Sequence, residues 1–210
     1  MKPSKKIRLL LVDDHFVVRM GLASSLALEA DMEVAAECGS GEEALELLPR
    51  CQPDVVVMDG RLPGLSGAET AAAMQRQFPG ARVLMLSVRD GEEDIYRAVQ
   101  AGVRGYLHKA AQREQIIEAI RKVHQGGTWF PPSISTKLAA RKKRPELTER
   151  ELQVLGCVVQ GRTNKEIADK LGVAEVTIKL HVGRILEKLG VSDRTQAATA
   201  ALQRGYIHLE

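Results

Sequence analysis

Asp13 and Asp14 follow the apolar run IRLLLV, Asp59 ends DVVVMD, Ser87 ends RVLMLS and Lys109 ends GYLHK. If those runs are neighbouring parallel strands, their C-terminal ends share one edge, the edge at which open α/β folds bind ligands. Three carboxylates, one hydroxyl and one ammonium would then converge. Carboxylates this close repel one another unless a cation compensates. An all-oxygen set suits Mg²⁺, which takes few carboxylates and commonly a phosphate as well. A lysine and a hydroxyl beside it can hold the remaining phosphoryl oxygens. The chemistry is that of a Mg²⁺-dependent phosphoryl site with one aspartate free to act as nucleophile. A phosphatase with an aspartyl nucleophile would want a second Asp two residues on as general acid, and Arg61 stands there. Arg61 at that position counts sharply against the enzyme reading.

The elements that must position these residues are legible in the first 125 positions. Candidate strands are 7–12, 33–38, 54–59, 82–87 and 105–109, near-continuous in Val, Leu and Ile as strands buried on both faces are. Amphipathic segments lie between them, at about 15–29, 41–49, 67–77, 91–101 and 111–125. Alternation of this kind implies right-handed βαβ crossovers. Five units in this length predict a flavodoxin-like (βα)5 doubly wound parallel sheet. Ser40 with Glu43 reads as a capping box, and Ser66 can cap the helix after the Asp59 loop. His15, following the acid pair at a helix start, is read as structural.

The motifs LVDDH (11–15), MDGRLPGLSG (58–67), LMLS (84–87) and GYLHK (105–109) resemble the receiver domain of two-component response regulators at that family's spacing. The resemblance implies that Asp59 accepts a phosphoryl group from a sensor kinase histidine. It implies Asp14 and Asp59 as direct Mg²⁺ ligands, Asp13 through water, and the backbone carbonyl of Arg61 as a further ligand. Lys109 would pair with the phosphate. Ser87 and Tyr106 would be the switch pair, the hydroxyl turning toward phosphate and the ring following inward.

Beyond residue 125 the pattern changes. GGTWFPPSIS (126–135) and the basic run 141–144 have linker composition, with a helical stretch expected from about 133 to 143. From 147 every segment has helical period: about 148–160, 164–171, 175–189 and 194–204, separated by Gly161, Gly172 and Gly190. Thr148 with Glu151 and Thr163 with Glu166 read as capping boxes. Two amphipathic helices joined by a short glycine turn are a helix-turn-helix signal, whose second helix enters the major groove. In that helix Ile178, Val182, Ile185, Leu186 and Leu189 form the apolar face, leaving Thr177, Lys179, Leu180, His181, Gly183 and Arg184 for DNA. The domains are thus 1–125, a linker 126–146, and a small all-α four-helix unit 147–210.

The stretch 147–205, from LTERE through GRTNKEIADKLGV to TIKLHVGRILEKLGV and RTQA, is similar to the LuxR-type (NarL/FixJ) DNA-binding domain. That likeness implies Lys179 and Leu180 as base readers, Thr177, Asn164 and Lys165 near the phosphates, and the last helix as a dimer face. Two departures stand out. Gly183 occupies a position where relatives often carry a longer contact residue, and Ala174 stands where a serine usually caps the recognition helix.

Composition fits this reading. The 210 residues suit two ordinary domains, and 44% hydrophobic with 27% charged residues is the balance of a soluble globular chain. Aromatics at 3% argue against a stacking site for single-stranded nucleic acid. Cys38, Cys51 and Cys157 have no CxxC spacing, which points to reduced thiols in a cytoplasm. The basic start and apolar run end at Asp13, too short for a signal sequence or membrane span. Residues 126–210 carry 14 Lys/Arg against 9 Asp/Glu, the first 125 carry 16 against 18, and 145–210 balances at 9 against 9. The basic excess lies in the linker, so a non-DNA-binding, protein-interacting helical output is the alternative. The expectation is a cytoplasmic transcription regulator that meets a sensor histidine kinase, promoter DNA and, once activated, a second copy of itself.

Overall fold

The computed structural model describes residues 6–208; the start of the basic stretch, residues 1–5, lies outside them. The chain divides into two compact units, residues up to 90 with 95–135, and residues 91–94 with 136 onward.

The first unit is built on β1 (Ile7–Val12), β2 (Met32–Cys38), β3 (Val55–Asp59), β4 (Val83–Ser87) and β5 (Gly105–His108). All adjacent pairs are parallel, in the order β2-β1-β3-β4-β5. Between them run α1 (Phe16–Leu26), α2 (Gly41–Cys51), α3 (Gly67–Gln77) and α4 (Glu92–Gln100), and after β5 comes α5 (Arg113–His124). This is the flavodoxin-like order, with its switch point between β1 and β3. β3 and β4 are buried at every residue, as their unbroken Val/Leu/Met runs require. Side chains alternate across the sheet. One face sends Leu9, Leu11, Val57, Leu84 and Leu107 into a core closed by Ile116, Ile117, Ile120 and Val123 of α5. Each such side chain contributes about 1.5–3 kcal/mol by leaving water.

Local differences from the sequence reading have identifiable causes. α2 runs past Pro49 to Cys51 and ends on Gln52 in the left-handed region, φ 43°. A proline this near a helix end costs a single backbone donor, so the last turn persists. Ser40 accepts the Glu43 N–H, but the Glu43 carboxylate reaches the N–H of Gly39 and not of Ser40, so the expected box is half formed. The stretch read as linker also begins inside this unit. Trp129 bridges parallel to Gly105, donating to the Arg104 carbonyl at 2.9 Å and accepting from the Tyr106 N–H at 3.0 Å. It thereby covers the otherwise open edge of β5.

Next comes α6 (Pro132–Lys142), where a helical stretch was expected. The second unit is then formed mainly by α7 (Glu149–Val159), α8 (Asn164–Leu171), α9 (Glu175–Leu189) and α10 (Arg194–Gln203). Both predicted capping boxes are complete, at Thr148/Glu151 and Thr163/Glu166. Val154, Leu155, Ile167, Ile178, Ile185, Leu189 and Ala201 close the core. Gly172 joins α8 to α9 at φ 65°, a conformation a side chain would strain. Among the described residues no helix is long and apolar enough to cross a membrane.

One buried charge fastens this bundle. Glu151 accepts the Thr148 N–H and the Lys188 ammonium, both at 2.7 Å, tying the start of α7 to the end of α9. Burial pushes its carboxyl up, but Lys188 and Thr148 outweigh burial and hold it below the usual carboxylate range. A carboxyl depressed in the fold stabilises above its unfolded pKa of about 4.3, and that contribution is lost as pH falls through the folded value. Glu151→Ala is therefore expected to cost the helical unit about 2 kcal/mol at neutral pH, since the Thr148 cap and the Lys188 ion pair lose their common acceptor. Denaturant titrations at pH 7 and below pH 4 should show the difference shrinking in acid.

Candidate functional site

The C-terminal ends of β1, β3 and β5 bring Asp13, Asp59 and Lys109 together. The Lys109 ammonium lies 2.7 Å from Asp13 Oδ2 and 2.7 Å from Asp59 Oδ2. Asp13 is 6% exposed and Asp59 3%, so the lysine separates two carboxylates that water screens poorly. Burial pushes the Asp59 carboxyl up, against the pull of Lys109 and of the Arg61 N–H, which donates to Oδ1 at 3.0 Å. For Lys109 burial acts downward, and the two carboxylates outweigh it to hold the ammonium above its ordinary value. For Asp59 burial outweighs the pull of its neighbours, so its carboxyl stands above the usual carboxylate range.

Asp14 and His15 sit exposed on the rim, with His15 Nδ1 2.7 Å from Asp14 Oδ1. One ligand atom from each of Asp13, Asp14, His15 and Asp59 falls within 4.8 Å of the others. The three carboxylates form a hard, oxygen-rich donor set of the kind a divalent cation takes. His15, read from sequence as structural, therefore belongs to the same rim. The Arg19 guanidinium donates to the Asp13 carbonyl and bonds the β1 end to α1.

The loop after β3 turns tightly beside Asp59. Gly64 adopts φ 70°, and Ser66 caps α3 in a complete box with Glu69. Gly67 is required by proximity, because a Cβ there would stand 2.2 Å from the Asp59 carbonyl oxygen. Ser87 closes the site from β4. A Cβ on Gly60 would lie 2.7 Å from Ser87 Oγ, which places that hydroxyl beside the residue following Asp59. Tyr106 is only 1% exposed, and its hydroxyl donates to the Arg89 carbonyl at 2.6 Å. The Arg89 N–H in turn donates to Ser87 Oγ at 3.0 Å. The expected switch pair is thus joined through the backbone of Arg89, with the ring already packed inward. Sequence gave no sign of Arg89, because main-chain groups do this work.

In the helical unit Lys179, Leu180, Gly183 and Arg184 are exposed along α9, while Thr177 and His181 are partly buried on its flank. Lys179 stands 3.3 Å from Glu175. Asn164 accepts from Arg194 at 3.2 Å, and Lys165 is exposed at the start of α8. Ala174 provides no side-chain cap to α9, as its type dictates.

Comparison with known proteins fits both units. A family described as the response regulator receiver domain matches residues 9–121, and bacterial regulatory proteins of the luxR family match residues 145–201. The response regulator protein VraR of Staphylococcus aureus is 38% identical over 206 residues, covering 96% of this chain and 99% of VraR. The response regulator ChrA of a heme-sensing two-component system is 37% identical with a TM-score of 0.58, over 96% and 99% of the two chains. RcsB from Salmonella enterica serovar Typhimurium, solved on promoter DNA with a phosphomimetic, has a TM-score of 0.72 at 22% identity over 93% and 98%, a likeness of fold. The acidic pocket on a doubly wound sheet and the helix-turn-helix unit that follows it have one common explanation: the chain belongs to the two-component response regulators that join a receiver domain to a LuxR-type DNA-binding domain.

Proposed function

We propose that this protein is a phosphorylation-controlled transcription regulator, switched at Asp59 and read out on promoter DNA through α9. The observation that carries the reading is the Asp13–Lys109–Asp59 arrangement, with one ammonium 2.7 Å from each of two buried carboxylates. An Asp59 oxygen attacks the phosphorus of a phosphohistidine on a sensor kinase. The P–N bond breaks as the P–O bond forms, and the histidine leaves as neutral imidazole after taking a proton. Lys109 holds a phosphoryl oxygen, and Ser87 holds another from β4.

Asp13, Asp14, Asp59 and the Arg61 carbonyl are the residues that would hold Mg²⁺, and an oxygen donor set of this kind fits it. When bound, the ion neutralises charge on the incoming phosphoryl oxygens. The protein itself makes no small-molecule product. Its role is to store the phosphoryl group and change state, which is why no enzyme activity beyond self-phosphorylation is assigned. A cytoplasmic location follows from the kinase and DNA partners.

A new charge at Asp59 draws Ser87 toward it and loosens the Arg89 bridge to Tyr106. We place dimerisation downstream of that change, with α10 as the face in the helical unit. Leu202 is exposed there beside Thr195 and Thr199. Two α9 helices in a dimer would then meet half-sites one DNA turn apart. In sedimentation velocity, beryllofluoride with Mg²⁺ is expected to convert the full chain from monomer to dimer. A monomer that persists under both would defeat the proposed order of events.

A further inference from the structure

Val176 was not among the sequence candidates for DNA contact, yet it is 64% exposed, and Leu180 one turn later is 62% exposed. They are the most exposed large apolar side chains among the described residues of the helical unit. At about 100° per residue Val176 lies opposite Ile178, Ile185 and Leu189, the residues that seat α9 in its core. Positions four apart lie about 5–6 Å apart at Cβ. Side by side at the start of a recognition helix, these two branched side chains offer a small apolar contact surface.

Charge supplies little of the pull at this end. Glu175 and Lys179 flank Val176 and neutralise each other at 3.3 Å. Farther along the same face Gly183 has no heavy atom within 4 Å of where a Cβ would stand, so nothing projects there to hold the helix off. The surface that leads into a groove is therefore apolar at its tip, with the exposed Lys179 and Arg184 to either side of it. In the major groove the one apolar feature of the base edges is the C5-methyl group of thymine.

We propose that Val176 is a specificity-determining residue that acts with Leu180, and that the two side chains read thymine methyl groups in the major groove. The preferred half-site accordingly carries neighbouring thymines under the start of α9. This rests on the reading of the helical unit as a DNA binder and adds the chemical class of sequence that it selects. It also explains a near-neutral helical unit, because methyl contacts need no counter-charge and phosphate contacts supply the salt-sensitive part of affinity.

The test uses the full chain with beryllofluoride and Mg²⁺, and a duplex enriched from a randomised double-stranded library. Each thymine of that duplex is replaced singly by deoxyuridine, which removes the methyl and keeps the base pair. Wild type is expected to lose about fourfold in affinity at one or two adjacent positions, the equivalent of about 0.8 kcal/mol for one methyl-sized group. Val176→Ala should bind the same positions with no such loss, while Leu180→Ala should remove the sensitivity of the neighbouring one. Retained deoxyuridine sensitivity in Val176→Ala, or none in wild type, overturns the inference and leaves DNA binding standing. So does a uniform loss on every duplex with a reduced dimer fraction, which would assign Val176 to a protein contact. Failure to enrich any duplex over random DNA overturns the DNA reading itself, and the inference with it.

Discussion

Asp59→Asn is expected to take up no phosphoryl group from a phosphorylated kinase or a small phosphodonor, and to stay at one mass in sedimentation with and without beryllofluoride. The amide is isosteric with the carboxylate but is not a nucleophile toward phosphorus. Nor can the neighbours replace it. Asp13 lies behind the same ammonium at 2.7 Å, and Asp14 is engaged with His15 on the rim. A folding defect would not be the cause of the loss. Asp59 is a buried carboxylate whose pKa burial drives up, so neutralising it removes a desolvation cost and leaves Asp13 as the single partner of Lys109. The variant should therefore melt no lower than wild type. Intact-mass measurement gives the result directly. A phosphoryl increment retained in Asp59→Asn would move the acceptor to Asp13 or Asp14.

The sequence made the sheet legible because its strands are buried on both faces and so carry unbroken apolar runs, β3 and β4 most plainly. With five strands placed, convergence of Asp13, Asp59 and Lys109 at one edge followed from topology alone. The capping boxes at Thr148 and Thr163 were readable because each is a local pattern of two residue types three apart. What escaped notice depends on the backbone or on solvent exposure. The Arg89 bridge between Ser87 and Tyr106 uses an N–H and a carbonyl that every residue possesses. Trp129 joins the edge of β5 through main-chain bonds within what composition marks as linker. Val176 belongs neither to the apolar face nor to the DNA-facing set read from the sequence, and only its exposure opposite the buried face sets it apart.

The other large effect belongs to Lys109. Lys109→Met keeps the unbranched apolar stem of the side chain but strips two buried carboxylates of their shared counter-charge. Removing one partner of a buried ion pair costs about 3–5 kcal/mol, a large part of the 5–15 kcal/mol by which a domain is stable. Urea titration of the receiver transition should show the loss as a lower midpoint with an unchanged slope. Asp59→Asn placed in the same chain should recover much of it, because the remaining site then holds one carboxylate and no second charge to oppose it. The coupling between the two substitutions is expected near 2 kcal/mol, within the range seen for residues in one ionic network. Additive losses would instead mean that Lys109 stabilises the receiver through its packed methylenes. In that case its ammonium would serve the incoming phosphate alone.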